Sequence, residues 1–224
     1  MNEGFNRLIT LPKFVEHKIA SAETEAVTAA MYEYLMAAGG VFIRAKRREF
    51  TACLPLFEKK INGLPEVNGD IVWHKPKISS LLWQHILEHA RANSDDGGNF
   101  REDVYVVYWN AQFGDWAWKP VSRERSLAST LAEDRLAEYG EACIELHTHP
   151  PGAIHFSTAD DRDERGKFRI FGILIDVHSD APKIRFRCGI YDFFAQIPTA
   201  YVSEMPQEII DLNAVEARLR KILQ

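Results

Sequence analysis

Residues 145–161, ELHTHPPGAIHFSTADD, bring three histidines, a serine and two aspartates into one short stretch. Side chains alternate faces along a strand, so His147 and His149 project the same way and can share one metal ion. Imidazole nitrogens suit zinc at ~2.0–2.1 Å, and a catalytic zinc takes three protein ligands and keeps its fourth position for water. The third ligand should be a carboxylate returned by the following loop. Asp160 stands eleven positions after His149, which is enough chain to leave the strand and come back. Two histidines on one strand face can also be ordinary packed or surface groups. Ser157 to Asp160 is in addition a capping-box pattern, in which a hydroxyl and an acidic side chain satisfy a helix start. The cap is compatible with metal binding, because it sets Asp160 in the first helical turn. Cys53, Cys143 and Cys188 lie far apart and form no CxxC pair. Any metal is therefore held by nitrogen and oxygen, and the thiols are expected to be reduced in a cytoplasmic protein.

The spacing H-x-H-x7-S-x2-D over His147, His149, Ser157 and Asp160 resembles the signature of the JAB/MPN (JAMM) metallopeptidases. Thr148 stands where that family carries Ser or Thr, and Pro150 matches its common proline. The resemblance covers residues 71–195 and implies one zinc ion on His147, His149 and Asp160, and cleavage of peptide or isopeptide bonds, often those of ubiquitin-like proteins. It also implies a mixed β-sheet flanked by helices, related to the cytidine-deaminase topology. A deaminase itself would need a PCxxC that is missing here. In the family a glutamate before a buried strand activates the water, and Glu102 falls in that position. Tyr105 departs from the glycine that many members have three residues later, so Asp103 and Glu145 stay open as bases. Glu102 can also be read as a solvated charge at a strand entry. By the same resemblance Ser157 donates to the developing oxyanion. His155 is read as a surface residue, since a fourth protein ligand would close the catalytic position. His74, His85, His89 and His178 have no partner at ligand spacing. Trp83, Trp109, Trp116 and Trp118 are read as packing, with a peptide groove at Trp116 and Trp118 not indicated.

The elements that must position these groups are α/β in character. Ile78, Leu82 and Ile86 recur every four residues, predicting a helix over 77–91. VYVVYW (104–109) reads as a strand, AQFGD as a hairpin turn into WAWKP, and LASTLAEDRLAEY (127–139) as a helix stopping at Gly140. ACIELHTH (142–149) is a strand ended by Pro150-Pro151-Gly152, since proline cannot donate to a ladder. FRIFGILIDV (168–177) and KIRFRCGIYD (183–192) are strands flanking HSDAP, and a helix closes the chain over 207–223. This order predicts a two- or three-layer α/β domain. Ahead of it, residues 22–37 read as a helix ended by Gly39-Gly40, followed by strands 40–45 and 50–57, so that 1–70 is an α+β extension of open role. INGLPEVNGD (61–70) is the candidate linker to the metallopeptidase domain, 71–224. The basic cluster Arg44, Lys46, Arg47, Arg48 reads as a solvated turn.

The chain has 224 residues, 46% apolar and 26% charged, the usual mixture for a soluble globular protein. No apolar run approaches the ~20 residues of a membrane span, and MNEGFNRL lacks the features of a signal peptide. A formal charge of -5 argues against nucleic acid as a direct partner. The partner expected is a protein or peptide substrate, with a ubiquitin-like protein implied by the resemblance. The layout is similar to bacterial JAB proteins of the PRTRC type, which implies a conjugation-linked protease. Two other functions compete. A non-catalytic MPN scaffold would lack the ligands, which this chain keeps. A RadC-like JAB protein linked to DNA metabolism has a similar H-x-H-P-x-G loop, but the acidic charge weighs against DNA.

Overall fold

A computed structural model describes residues 13–22, 25–93, 95–96, 99–121 and 139–222. The chain forms two compact units, Met1–Ile71 and Val72–Gln224.

The described part of the first unit is a sheet in the order β1 (Val15–Ile19), β2 (Tyr32–Ala37), β3 (Gly40–Lys46), β4 (Phe50–Glu58) and β5 (Asp70–Trp73), the last running past Ile71. β1 and β2 are parallel, whereas β2 to β4 form antiparallel hairpins. The helix expected over 22–37 is therefore replaced, over 32–37, by a strand. The described residues of this unit contain no helix, so its α+β reading becomes β. The Ala and Glu content favours a helix locally, but YEYLMA also alternates: Glu33, Leu35 and Ala37 are buried on one face. Leu35 and Ala37 pack on Phe42, and tertiary packing outweighs intrinsic propensity. Gly39-Gly40 closes a hairpin instead of a helix. The basic cluster is not a solvated turn either: buried Arg44 pairs with buried Glu33, while Arg47 and Arg48 hold Glu49 at 2.6 and 2.8 Å. Residues 61–70 do not act as a free linker. Ile61 N–H donates to Ala38 O (2.8 Å), Ala38 N–H donates to Pro65 O (2.9 Å), and Val67 packs on the Leu35 cluster.

Gly40 has φ +132°, and a Cβ there would lie 2.1 Å from Phe57 O. The G40A protein is expected to lose about 1–3 kcal/mol, measured as a lower urea midpoint of the first unit. Gly63→Ala, at φ +85° in open space, is expected to cost less because only backbone strain remains.

The second unit opens with α1 (Ser80–Asn93), the two-residue strands β6 (Asp95–Asp96) and β7 (Asn99–Phe100), and then the hairpin β8 (Val104–Asn110) and β9 (Asp115–Val121). β10 (Ile144–His149), α2 (Thr158–Glu164), β11 (Lys167–Ile175), β12 (Lys183–Tyr191), β13 (Phe193–Ile197), β14 (Ile210–Asp211) and α3 (Leu212–Ile222) follow. Seven strands form one mixed sheet in the order β13-β12-β11-β10-β8-β9, with β14 beside β12. Only β10–β11 and β12–β14 pair in parallel among its ladders, and α2 lies in the β10–β11 connection. This is the mixed α/β architecture expected. The helix read over 127–139 lies outside the described residues except at its end, where residues 139–141 are helical and so continue past Gly140. The closing helix starts later than expected, at Leu212, because the Asp211 carboxylate accepts the N–H groups of Asn213 (2.9 Å) and Ala214 (3.1 Å) and caps it there.

One sheet face packs on α1 through Leu82, Trp83, Ile86, Leu87 and Ala90, with Trp83 5.6 Å from Phe186. Gly172 makes room for that packing: a Cβ there would meet Phe186 at 2.7 Å and Leu146 at 2.8 Å. The opposite face carries α2 and α3, held by Arg187 to Glu164 and by Arg185 to Glu216. No helix among the described residues is long and apolar enough to cross a membrane.

Candidate metal centre

β10 is a central strand, flanked by β8 and β11. Its period of two sends Ile144, Leu146 and Thr148 to the α1 side and Glu145, His147 and His149 to the other. The turn after it is tied down by Gly152 N–H donating to Asp176 Oδ1 (3.0 Å).

The chain then returns through α2, whose first turn is a complete capping box. Asp160 N–H donates to Ser157 Oγ (3.2 Å), and Ser157 N–H donates to Asp160 Oδ2 (2.6 Å). The cap sets the aspartate between the two rings. Asp160 Oδ1 is 3.5 Å from His147 Nδ1, and Asp160 Oδ2 is 3.5 Å from His149 Nε2.

The other nitrogen of each ring faces an acceptor. His149 Nδ1 is 3.2 Å from Ala153 O, a carbonyl that can only accept, so this nitrogen carries a proton and Nε2 is left to face Asp160. His147 Nε2 is 3.5 Å from Glu145 Oε1, which leaves Nδ1 for Asp160. Such outer acceptors fix tautomer and ring orientation in metal sites.

Glu145 is itself held by Tyr139 Oη (2.9 Å), Arg169 (3.0 Å) and Lys167 (3.2 Å). Burial would raise its pKa, but His147 and these cations hold it at about 2. Burial likewise opposes charge on His147, yet the Asp160 and Glu145 carboxylates lift it to about 9. Asp160, although buried, is kept well below the usual carboxylate range by hydrogen bonds from both histidines and Ser157.

The donor set fits a borderline metal. Ligand atoms at ~2.0–2.1 Å in a tetrahedron stand about 3.3 Å apart, close to the two 3.5 Å separations here. Among the described residues no group of three or more His, Cys, Asp or Glu side chains is already gathered around one centre. Asp160 divides its oxygens between the two rings, and a shared centre requires one of those contacts to open.

The remaining predicted residues separate by face. The β8–β10 ladder pairs Val104 with His147 and continues through Thr148 N–H to Asp103 O (2.8 Å). Carried two residues beyond the end of β8 at Val104, the same register would set exposed Glu102 opposite His149. Asp103 lies on the α1 side with Tyr105, and Glu145 is engaged by cations. Tyr105, at the departure from the family glycine, is fully buried away from the ligands and lies 3.0 Å from His89 Nδ1. Ser157 is exposed; its oxygen accepts from Asp160 N–H, and its hydroxyl also hydrogen-bonds the Asp160 carboxylate. His155 is exposed. Trp116 stacks on Trp73 at 5.4 Å and Trp118 packs on His89 at 5.4 Å.

The anchors of Glu145 were missed in the sequence. Their signal was Lys167 and Arg169 alternating on an otherwise apolar strand, where only a buried anion would hold them.

Over residues 80–189 the chain is similar to a family described as prokaryotic homologs of the JAB domain. A comparison with curated proteins gave no match.

Proposed function

We propose, from the premise that the chain belongs to the JAB family through residues 80–189, that it is a zinc-dependent peptidase or isopeptidase acting on a ubiquitin-like protein or its conjugates. The observation that carries this reading is the pair of imidazoles, each with one nitrogen on an acceptor and the other turned to Asp160. His147, His149 and Asp160 would hold the ion. Zinc, when bound, supplies a Lewis acid that polarises an amide carbonyl and acidifies a water. Glu102, two residues ahead of β8, takes the proton of the attacking water and returns it to the leaving amine. The Ser157 hydroxyl donates to the carbonyl oxygen as negative charge develops there. A cytoplasmic, PRTRC-type conjugation setting belongs to the same proposal.

A second reading, a non-catalytic JAB interaction module, is favoured by Asp160 giving one oxygen to each ring and not both rings to one centre. Metal analysis separates the two. The purified protein is expected to carry about one zinc per chain, or to take it up on titration, and the H147A/H149A protein to carry none. A wild-type protein that stays metal-free in excess zinc would establish the interaction module.

A further inference from the structure

Thr148 sits between the two histidines, yet its side chain lies on the opposite face of β10 and is fully buried. In an antiparallel ladder a hydrogen-bonded pair exchanges two backbone bonds. At Thr148 and Asp103 one of them is ordinary, Thr148 N–H to Asp103 O at 2.8 Å. The return bond is different: Asp103 N–H donates to the Thr148 hydroxyl oxygen at 2.6 Å. A side-chain oxygen therefore closes the last rung of the ladder, immediately beside Glu102. Residues 101–103 lie outside any strand, so this rung is where the register of Glu102 is set.

We propose that Thr148 is a positioning residue for Glu102: its hydroxyl clamps the Asp103 N–H and holds the entry of β8 in register with the ligand strand. The inference rests on the reading of Glu102 as the base and adds the group that aims it. Its hydroxyl makes no contact with the ligand face, so its loss acts on the base and not on the ion. A serine keeps the oxygen. Valine keeps the shape and loses it.

The test compares Thr148→Ser, Thr148→Val and Thr148→Ala in the full chain. Hydrogen exchange of the Asp103 amide, in metal-free protein, is expected to be about five- to tenfold faster in T148V and T148A and unchanged in T148S. Zinc affinity is expected to stay within about twofold in all three. Turnover of a ubiquitin-like protein joined through its C-terminal Gly-Gly to a fluorogenic amide is expected to fall about ten- to a hundredfold in T148V and T148A, with T148S near wild type. Unchanged Asp103 exchange in both hydroxyl-free variants overturns the clamp. Faster exchange with full turnover, in a protein that E102Q inactivates, overturns the positioning role alone. Full turnover in E102Q instead overturns the base assignment, and with it any catalytic consequence of the clamp.

Discussion

Replacing Glu102 by Gln is expected to leave zinc binding at its wild-type level and to lower turnover by about 10²–10⁴, the range of a positioned general base. The separation of the two readouts follows from the register. The groups that contact Asp160 are His147, His149 and Ser157, whereas Glu102 is exposed two residues ahead of β8. S157A is the internal comparison. Its oxyanion role alone is expected to cost about 10²–10³. Loss of the cap to Asp160 should add a drop in zinc affinity that E102Q does not show. Asp103→Asn should change turnover little, because that side chain lies on the α1 face. Glu145→Gln should act on metal affinity through His147, by about 10–100-fold. If E102Q keeps full turnover while E145Q abolishes it with zinc still bound, the base has been assigned to the wrong strand.

The second large effect is on stability. Arg187 donates to Glu164 Oε2 (2.7 Å) and Asp161 Oδ1 (2.5 Å), and its guanidinium lies 3.9 Å from the Phe156 ring and 4.2 Å from the Phe194 ring. This one side chain docks α2, the helix that presents Asp160, against β12. Removing it leaves the buried Glu164 carboxyl without its partner and α2 without its dock, and R187A is expected to cost about 3–5 kcal/mol by urea denaturation. The sign with pH is defined. Burial pushes the Glu164 carboxyl up to about 8 even against the pull of Arg187, and without Arg187 it must rise further. A carboxyl whose folded pKa lies above its unfolded value stabilises below the unfolded pKa and progressively less as pH rises. The R187A defect should therefore stay level from about pH 5 to 7 and grow above about pH 8, where Glu164 ionises in the wild type and not in the variant. Arg187→Met with Glu164→Leu removes both charges together and is expected to be close to neutral. An R187A defect that does not change with pH would show that Glu164 is not the group left exposed to the loss.

Much of the fold was legible in the chain itself. The strand periods of β8 and β10 to β12, the helix α1 and the hairpin at AQFGD all follow from patterns a few residues long, and each formed. YEYLMA in β2 did not read correctly, because Ala and Glu favour a helix while a buried Glu33–Arg44 pair and the Leu35 cluster, both distant in sequence, favour a strand. The start of α3 differs for a local reason, since one capping aspartate, Asp211, outranked a longer amphipathic pattern.

The site divides along the same line. Sequence alone determined that His147 and His149 share a face, because a strand repeats every two residues. It also determined that Ser157 and Asp160 face one another, because a helix cap closes over three. Tertiary structure decided what depends on two elements meeting: which ring nitrogen faces Asp160, set by Ala153 O and Glu145, and which cations hold Glu145. Local periodicity fixes direction within an element, whereas tautomer, register and ion pairing are properties of the contact between elements, and those exist only once the sheet has formed.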